Sequence, residues 1–254
     1  MAKIIAIINQ KGGVGKTTTV DAICSGLSTK GCKVLSIDLD SQCNYSFTTG
    51  IAEGASNNAL DVLSKKKGID ECVRKTDRGD VVPSSPSLVS IDMHIPYHVP
   101  DRLLRLKSAL DKVSSKDDYI VIDTPPGLGT LTLNALIAAD ICVVPAQADI
   151  YSLQGVNQLA DTISSVKASS NPKLKVAGVL LVKYSGRTII SKDMAAALEK
   201  LVAKMDTKVF DAKIRECNSI REAQAVHQGI FQYAPKSNAV NDYSMFLLEL
   251  LLSN

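Results

Sequence analysis

Ala2 to Val20, AKIIAIINQKGGVGKTTTV, decides the fold. Ala2 to Ile8 is an apolar, β-branched run of strand length. It enters a glycine-rich turn, Lys11-Gly12-Gly13-Val14-Gly15-Lys16-Thr17-Thr18, and then a helical pattern from about Gly15 to Thr29. Strand, glycine loop and helix start together predict a phosphate cradle. Glycines let the backbone curl so that successive N–H groups point inward, and the helix dipole adds positive potential. Lys16 is placed to reach the β- and γ-phosphates, and the Thr17 hydroxyl to hold Mg²⁺.

The strict pattern for such a loop, G-x-x-x-x-G-K-[ST], fails because Gln10 stands where its first glycine belongs, and a second lysine, Lys11, follows. The plain alternative is a glycine turn with two solvated lysines. The form KGGVGKTT resembles the deviant Walker A box of the ParA/MinD ATPases. That resemblance implies ATP and Mg²⁺ as cofactors, and Lys11 to Thr18 as the nucleotide-binding residues. It also implies that Lys11, with Lys16 a catalytic lysine, reaches across a dimer interface to the partner's nucleotide.

Composition bounds the remainder. The 254 residues suffice for one large α/β domain, and an apolar fraction of 45% is ordinary for a soluble chain. The net charge of +3 carries no argument for nucleic-acid binding. Six cysteines, at 24, 32, 43, 72, 142 and 217, lie scattered without a C-x-x-C pair and read as reduced thiols. The first residues read as a strand rather than a signal peptide, and no apolar run approaches the roughly 20 residues of a membrane span. The expected compartment is the cytoplasm, without a membrane partner.

Strands then alternate with helical stretches, predicting a mostly parallel twisted sheet with helices on both faces. Strands are expected at Lys33–Ile37, Val81–Pro83, Leu88–Ile91, Tyr119–Ile122, Ile141–Val144, Val176–Val182 and Lys208–Phe210. Short helices are expected at Asn57–Ser64 and Ile69–Lys75, and longer ones at Asp101–Val113, Thr130–Ala138 and Ser152–Ala168. Further helices are expected at Ile190–Met205, Ser219–Gln228 and Asn241–Leu252. With no linker or repeat, residues 1–254 read as a single α/β P-loop NTPase domain.

Two carboxylate sites follow strands. In VIDTPPG, Asp123 ends its strand as a Walker B residue does, where a carboxylate can hold a Mg²⁺-bound water. The plainer reading is a capping aspartate. SIDLDSQCN resembles the family's DxDxQ box, which implies Asp38 near Mg²⁺ and Asp40 as the catalytic residue orienting water. The family usually reads DPQGN there, so Ser41 and Cys43 depart from it and put the loop's path in question.

Downstream, GVLLVKYSGRTIIS and VFDAKIRECNSIREAQAVHQGIFQYAPKSNAVNDY resemble the C-terminal half of ParA-type partition ATPases. The resemblance implies an ATP-dependent homodimer that binds nonspecific double-stranded DNA and becomes nucleoid-associated. It also implies release by slow hydrolysis, stimulated by a ParB-like adaptor. Lys183 to Arg221 holds nine Lys and Arg against five Asp and Glu. Arg187, Lys192, Arg215 and Arg221 are the DNA-contact candidates, against a reading as ordinary solvated cations. Three rivals remain. A MinD-like membrane ATPase wants basic residues flanking an apolar terminal helix, whereas no Lys or Arg follows Lys236. A nitrogenase-reductase-like enzyme wants a cysteine between Thr124 and Thr130, which has none. A ligase relative is expected to carry an added substrate domain. From a different class, a regulatory ATPase switch acts on a protein partner without DNA transport.

Overall fold

The apolar run at Ala2–Ile8 is buried on both sides because it becomes a central strand. The computed structural model describes residues 1–52, 54–186, 189–203 and 206–252, and of residues 189–192 the backbone alone. In chain order, β1 (Lys3–Ile7) leads to α1 (Lys16–Thr29), and β2 (Val34–Asp38) to α2 (Asn44–Thr48), α3 (Ala59–Leu63) and α4 (Ile69–Cys72). The hairpin β3 (Arg74–Thr76) and β4 (Gly79–Val82) precedes a 3-10 turn at Pro86–Ser90, α5 (Ile91–His94) and α6 (Arg105–Leu110). Next come β5 (Tyr119–Asp123), α7 (Thr130–Ala138), β6 (Ile141–Ala146), α8 (Ile150–Ser169) and β7 (Lys175–Leu181). Then follow α9 (Ile189–Ala203), α10 (Asn218–Ala225), α11 (Ile230–Tyr233) and α12 (Asn238–Leu252).

The sheet has the order β3-β4-β2-β5-β1-β6-β7, parallel throughout except for the β3–β4 hairpin. The expected mostly parallel sheet is therefore present. Ile4, Ala6 and Ile8 join the core on one face, with α3, α6, α7, α8 and α9. Ile5 and Ile7 join the other, with α1, α10, α11 and α12. A strand covered on both faces reads as a continuous apolar run instead of an alternating one. From β1 the chain moves out through β2 and β4, returns at β5, and continues on the far side through β6 and β7. The carboxyl end of β1 is thus a topological switch point, where open α/β sheets bind ligands. The register sets Ile7 beside Asp123, and Asp123 beside Asp38, at that same edge.

Tertiary packing buries α1 almost all round. A Cβ on Gly26 would lie 2.4 Å from Leu247 Cδ1 and 2.9 Å from the Phe231 ring, so only glycine lets α11 and α12 approach this closely. On α12, Tyr243, Phe246, Leu247 and Leu250 are buried, while Leu248 and Leu252 remain exposed. No helix among the described residues is long and apolar enough to cross a membrane.

Several elements differ from expectation for local reasons. Leu88–Ile91 is no strand: the Ser85 side chain caps Ser87 N, Pro86 starts the turn, and a 3-10 turn runs into α5. The helix expected over Ile69–Lys75 stops at Cys72, because Arg74–Thr76 pairs antiparallel with β4. Asp101–Val113 is regular only over Arg105–Leu110. Lys208–Phe210 contributes a single bridge, Val179 to Val209. The last helix starts earlier, at Asn238, and Met205 lies outside the described residues.

Candidate functional site

The loop between β1 and α1 adopts the conformation that its glycines allow. Gly13 and Gly15 have φ of +73° and +79°, in the left-handed region. A Cβ added at Gly12 or Gly13 would meet nothing within 4 Å, so the loop is an open cradle at the start of α1. Lys16 is buried, and its Nζ donates to the Lys11 carbonyl at 3.1 Å. Burial lowers its pKa, opposed by the charges of Asp123 and Asp40. A buried ammonium beside an open cradle is a counter-charge awaiting an anion.

The carboxylates stand at the strand ends. Asp123 Oδ2 accepts from Thr17 Oγ1 at 2.8 Å, while its fully buried Oδ1 has no hydrogen-bond partner among the described residues. Burial, reinforced by the charge of Asp38, raises the Asp123 pKa well above the carboxylate range despite the Thr17 bond. An orphaned buried oxygen beside a threonine hydroxyl fits a Mg²⁺ ion or its bound water. Among the described residues no His, Cys, Asp and Glu cluster could hold a metal alone, which suits an ion shared with phosphates. The cradle and the Thr17–Asp123 pair thus fit a Mg²⁺-nucleotide.

Asp38 is placed differently from its neighbour. Its Oδ2 accepts from Ser46 N at 2.8 Å and Ser46 Oγ at 2.7 Å, and its Oδ1 from Asp40 N at 3.0 Å. Burial pushes its pKa up to about 6 against those bonds. Both oxygens are engaged in fixing α2 and the Asp40 backbone. Asp40 Oδ1 accepts from Gln42 N at 3.0 Å, and its side chain lines the cavity over the cradle. Cys43 takes a left-handed φ of +55° at the start of α2. The chain accepts at a cysteine the conformation that glycine adopts freely.

Lys11 points away from its own cradle. Its Nζ lies 2.7 Å from Asp149 Oδ2 and 5.6 Å from the centre of the Tyr151 ring. Asp149 Oδ1 meanwhile caps α8, accepting from Ser152 N at 2.8 Å. Burial pushes the Asp149 carboxyl up, but Lys11 and Ser152 outweigh it and hold its pKa below the usual range. Ile150 and Tyr151, next in sequence, are 65% and 71% exposed, so Lys11 opens onto an apolar surface. Gln10 fills the missing glycine's place with an anchor, its Nε2 donating to Gln158 Oε1 of α8 at 2.6 Å.

A cavity of about 620 Å³ covers the cradle, with Asp40, Lys183 and Arg221 in its wall. A second, of about 190 Å³, continues from Gly15 and Thr18 past Lys183, Arg221 and Gln224 to Tyr243. Of the expected DNA contacts, Arg215 is forked onto Asp242, with Nε and Nη2 at 2.9 and 2.6 Å. Arg221 pairs with Glu216 at 2.6 Å. Arg187 lies outside the described residues, and of Lys192 only the backbone is described. Sequence reasoning missed Asp149, although an Asp before a helix is a cap signal, and Lys183, although it follows an apolar strand.

The chain is similar to known proteins along nearly its whole length. The AAA domain family matches residues 2–176. The chain is 34% identical over 254 residues to the chromosome partitioning protein ParA of Myxococcus xanthus, covering 99% of this chain and 88% of that one. It is 35% identical over 246 residues to the sporulation initiation inhibitor protein Soj of Bacillus subtilis, covering 96% of each. Among solved structures, cobyrinic acid a,c-diamide synthase from Mycobacterium smegmatis with bound ADP and magnesium superposes with a TM-score of 0.85 at 32% identity. That match covers 99% of this chain and 94% of the other.

Proposed function

The chain belongs to the ParA/MinD-type family of P-loop ATPases, and from that premise we propose that it is an ATP-driven DNA partition switch. It is an ATPase that uses ATP and Mg²⁺. In the proposed cycle residues 1–254 act as one ATPase domain. Backbone N–H groups of Gly12 to Thr18 and the Lys16 ammonium bind the phosphates. Thr17 and Asp123 hold Mg²⁺, which neutralises phosphate charge when bound. Asp38, its oxygens engaged by Ser46 and Asp40, keeps Asp40 in place at the metal side. Asp40 orients the attacking water through its remaining oxygen capacity.

The observation that carries the switch is the outward placement of Lys11. Lys16 already supplies the counter-charge of its own cradle, so a second loop lysine, held off the cradle by Asp149, can serve a second copy's nucleotide once it leaves that partner. Two ATP-bound copies then pair face to face, and the paired basic faces grip DNA without reading its sequence. A ParB-like centromere-binding adaptor stimulates hydrolysis, the copies separate, and a plasmid, chromosome origin or integrative element is positioned. The ATP-bound form associates with the nucleoid from the cytoplasm.

Arg215 and Arg221 enter this reading as exposed guanidiniums whose carboxylate partners DNA phosphates must displace. The name of the Soj relative favours a second reading, a regulator that acts on a protein partner without transporting DNA. A MinD-like membrane role finds less support, since α12 carries no Lys or Arg and packs Tyr243, Phe246 and Leu247 inward. The test is light scattering and DNA binding with ATP, with ADP and without nucleotide. ATP-dependent pairing together with DNA binding supports the switch. Pairing without DNA binding supports the regulator.

A further inference from the structure

Lys183 lies just past the carboxyl end of β7, between two pinned neighbours. Val182 N donates to Ala146 O at 2.9 Å, and Tyr184 N donates to Ile214 O at 3.0 Å. Between them Lys183 takes a left-handed φ of +50°, which residues bearing a Cβ avoid. Conformations of that kind persist where the surroundings over-determine them, and they concentrate at functional sites. Its side chain reaches the phosphate loop, where Nζ donates to the Gly13 carbonyl oxygen at 3.1 Å. Gln147 Nε2 donates to the same oxygen at 3.3 Å. Lys183 also lines both the cavity over the cradle and the smaller one beside it.

We propose that Lys183 is a positioning residue of the phosphate loop, a third lysine that aims the loop's backbone at a nucleoside triphosphate. The peptide after Gly13 is trans, so its C=O and the following N–H point to opposite sides. Holding the Gly13 oxygen with Lys183 and Gln147 turns Val14 N–H to the opposite side, where it can donate to a phosphate oxygen when nucleotide binds. The ammonium meanwhile adds positive charge to a wall that the two cavities share. Both effects act on binding before any bond breaks. Loss of Lys183 therefore raises KM and leaves turnover of bound ATP nearly intact.

The inference rests on Lys11 to Thr18 being the nucleotide loop, so the test includes a variant of that loop. Binding of a fluorescent ATP analogue with Mg²⁺ is titrated for wild type, Lys183→Met, Lys183→Gly, Lys183→Arg and Lys16→Ala, alongside thermal unfolding. Losing a hydrogen bond from a charged donor corresponds to about a tenfold loss of affinity. Lys183→Met and Lys183→Gly are expected to lose about that much, with kcat kept within about twofold. Lys183→Arg, which keeps charge and donors, restores most of the binding. Glycine adopts the positive φ freely, so Lys183→Gly melts no lower than wild type, and its lost affinity is not lost folding. Wild-type affinity in Lys183→Met and Lys183→Gly, with Lys16→Ala defective, overturns the Lys183 role alone. An arginine variant as weak as the methionine one overturns it too. Unimpaired binding by Lys16→Ala overturns the loop reading itself.

Discussion

Lys11 and Asp149 face each other at 2.7 Å with side chains about one-third exposed, so the ion pair is partly screened and can be exchanged. If Lys11 serves a second copy's phosphate, it must first leave Asp149. Asp149→Asn keeps a helix-capping side chain but removes the charge that holds Lys11. It should tighten ATP-dependent pairing several-fold in light scattering, and Lys11→Ala should weaken pairing more than it weakens ATP binding. Wild-type pairing by Lys11→Ala would remove the trans role. Asp40→Ala should bind ATP and pair, yet hydrolyse at least about 100-fold more slowly, because general-base or water-positioning groups contribute about that much. Phosphate-release assays with nucleotide titration separate the two effects, and unchanged turnover would exclude Asp40. The buried carboxylates predict a pH effect. Asp38 is raised to about 6 and Asp123 is raised as well, both by burial, so the folded protein takes up protons that an unfolded carboxyl binds only near pH 4. Their contribution to free-protein stability is therefore present below pH 4 and lost as pH rises through 6 and beyond. Mg²⁺ favours these groups without their protons. The rise in melting temperature on adding Mg²⁺ and ADP should be larger at pH 7.5 than at pH 5.5. An equal or smaller rise at pH 7.5 would contradict this account of the site.

Arg78 ties the turn of the hairpin β3–β4 to α1. Arg78 is fully buried, its Nε 2.5 Å from Asp21 of α1, its Nη1 2.7 Å from Asp77, and Nη1 also donates to His227 O at 3.1 Å. Burial raises Asp21 to about 6, against the attraction of Arg78. Removing the cation leaves that carboxylate buried and unpaired, so Arg78→Met should cost about 3–5 kcal/mol. Thermal unfolding should drop by roughly 10 °C for a chain of this size. The double variant Arg78→Met/Asp21→Leu should melt higher than Arg78→Met, and a single variant melting like wild type would contradict the pairing. Elements of this kind set the limit of what a sequence discloses. The cradle is readable because strand, glycines, lysines and helix start are contiguous, Asp38 and Asp123 because they close apolar strands, and Asp40 through the resemblance of SIDLDSQCN to the family's box. Leu88–Ile91 misled because its apolar residues fit a strand, while the cap of Ser85 and the fixed φ of Pro86 select a turn. Asp149 and Lys183 meet the loop across 138 and 170 residues, a separation that no local pattern carries.

The whole molecule carries a net charge of only +3, so its proposed grip on DNA depends on where cations gather. Pairing two copies doubles the phosphates neutralised, and each contact adds roughly −0.9 to the slope of log K against log salt. Arg215→Glu sets a second carboxylate beside Asp242, in the wall of the smaller cavity that Gly15 and Thr18 also line, so its ADP affinity must be measured as a control. It should weaken binding to all sequences alike and leave ATP-dependent pairing intact. Arg221→Glu should weaken DNA binding similarly, but Arg221 also lines the nucleotide cavity, so its ADP affinity must be measured beside it. A strong preference for one DNA sequence would contradict a phosphate-based grip. ATP in this account controls DNA binding through pairing, without touching DNA. The most direct test is fluorescence anisotropy of a labelled random-sequence duplex titrated with the protein and Mg²⁺, with ATP, with ADP and without nucleotide. Tight, salt-sensitive binding with ATP alone is the predicted result, and equal affinity in all three states would contradict the switch.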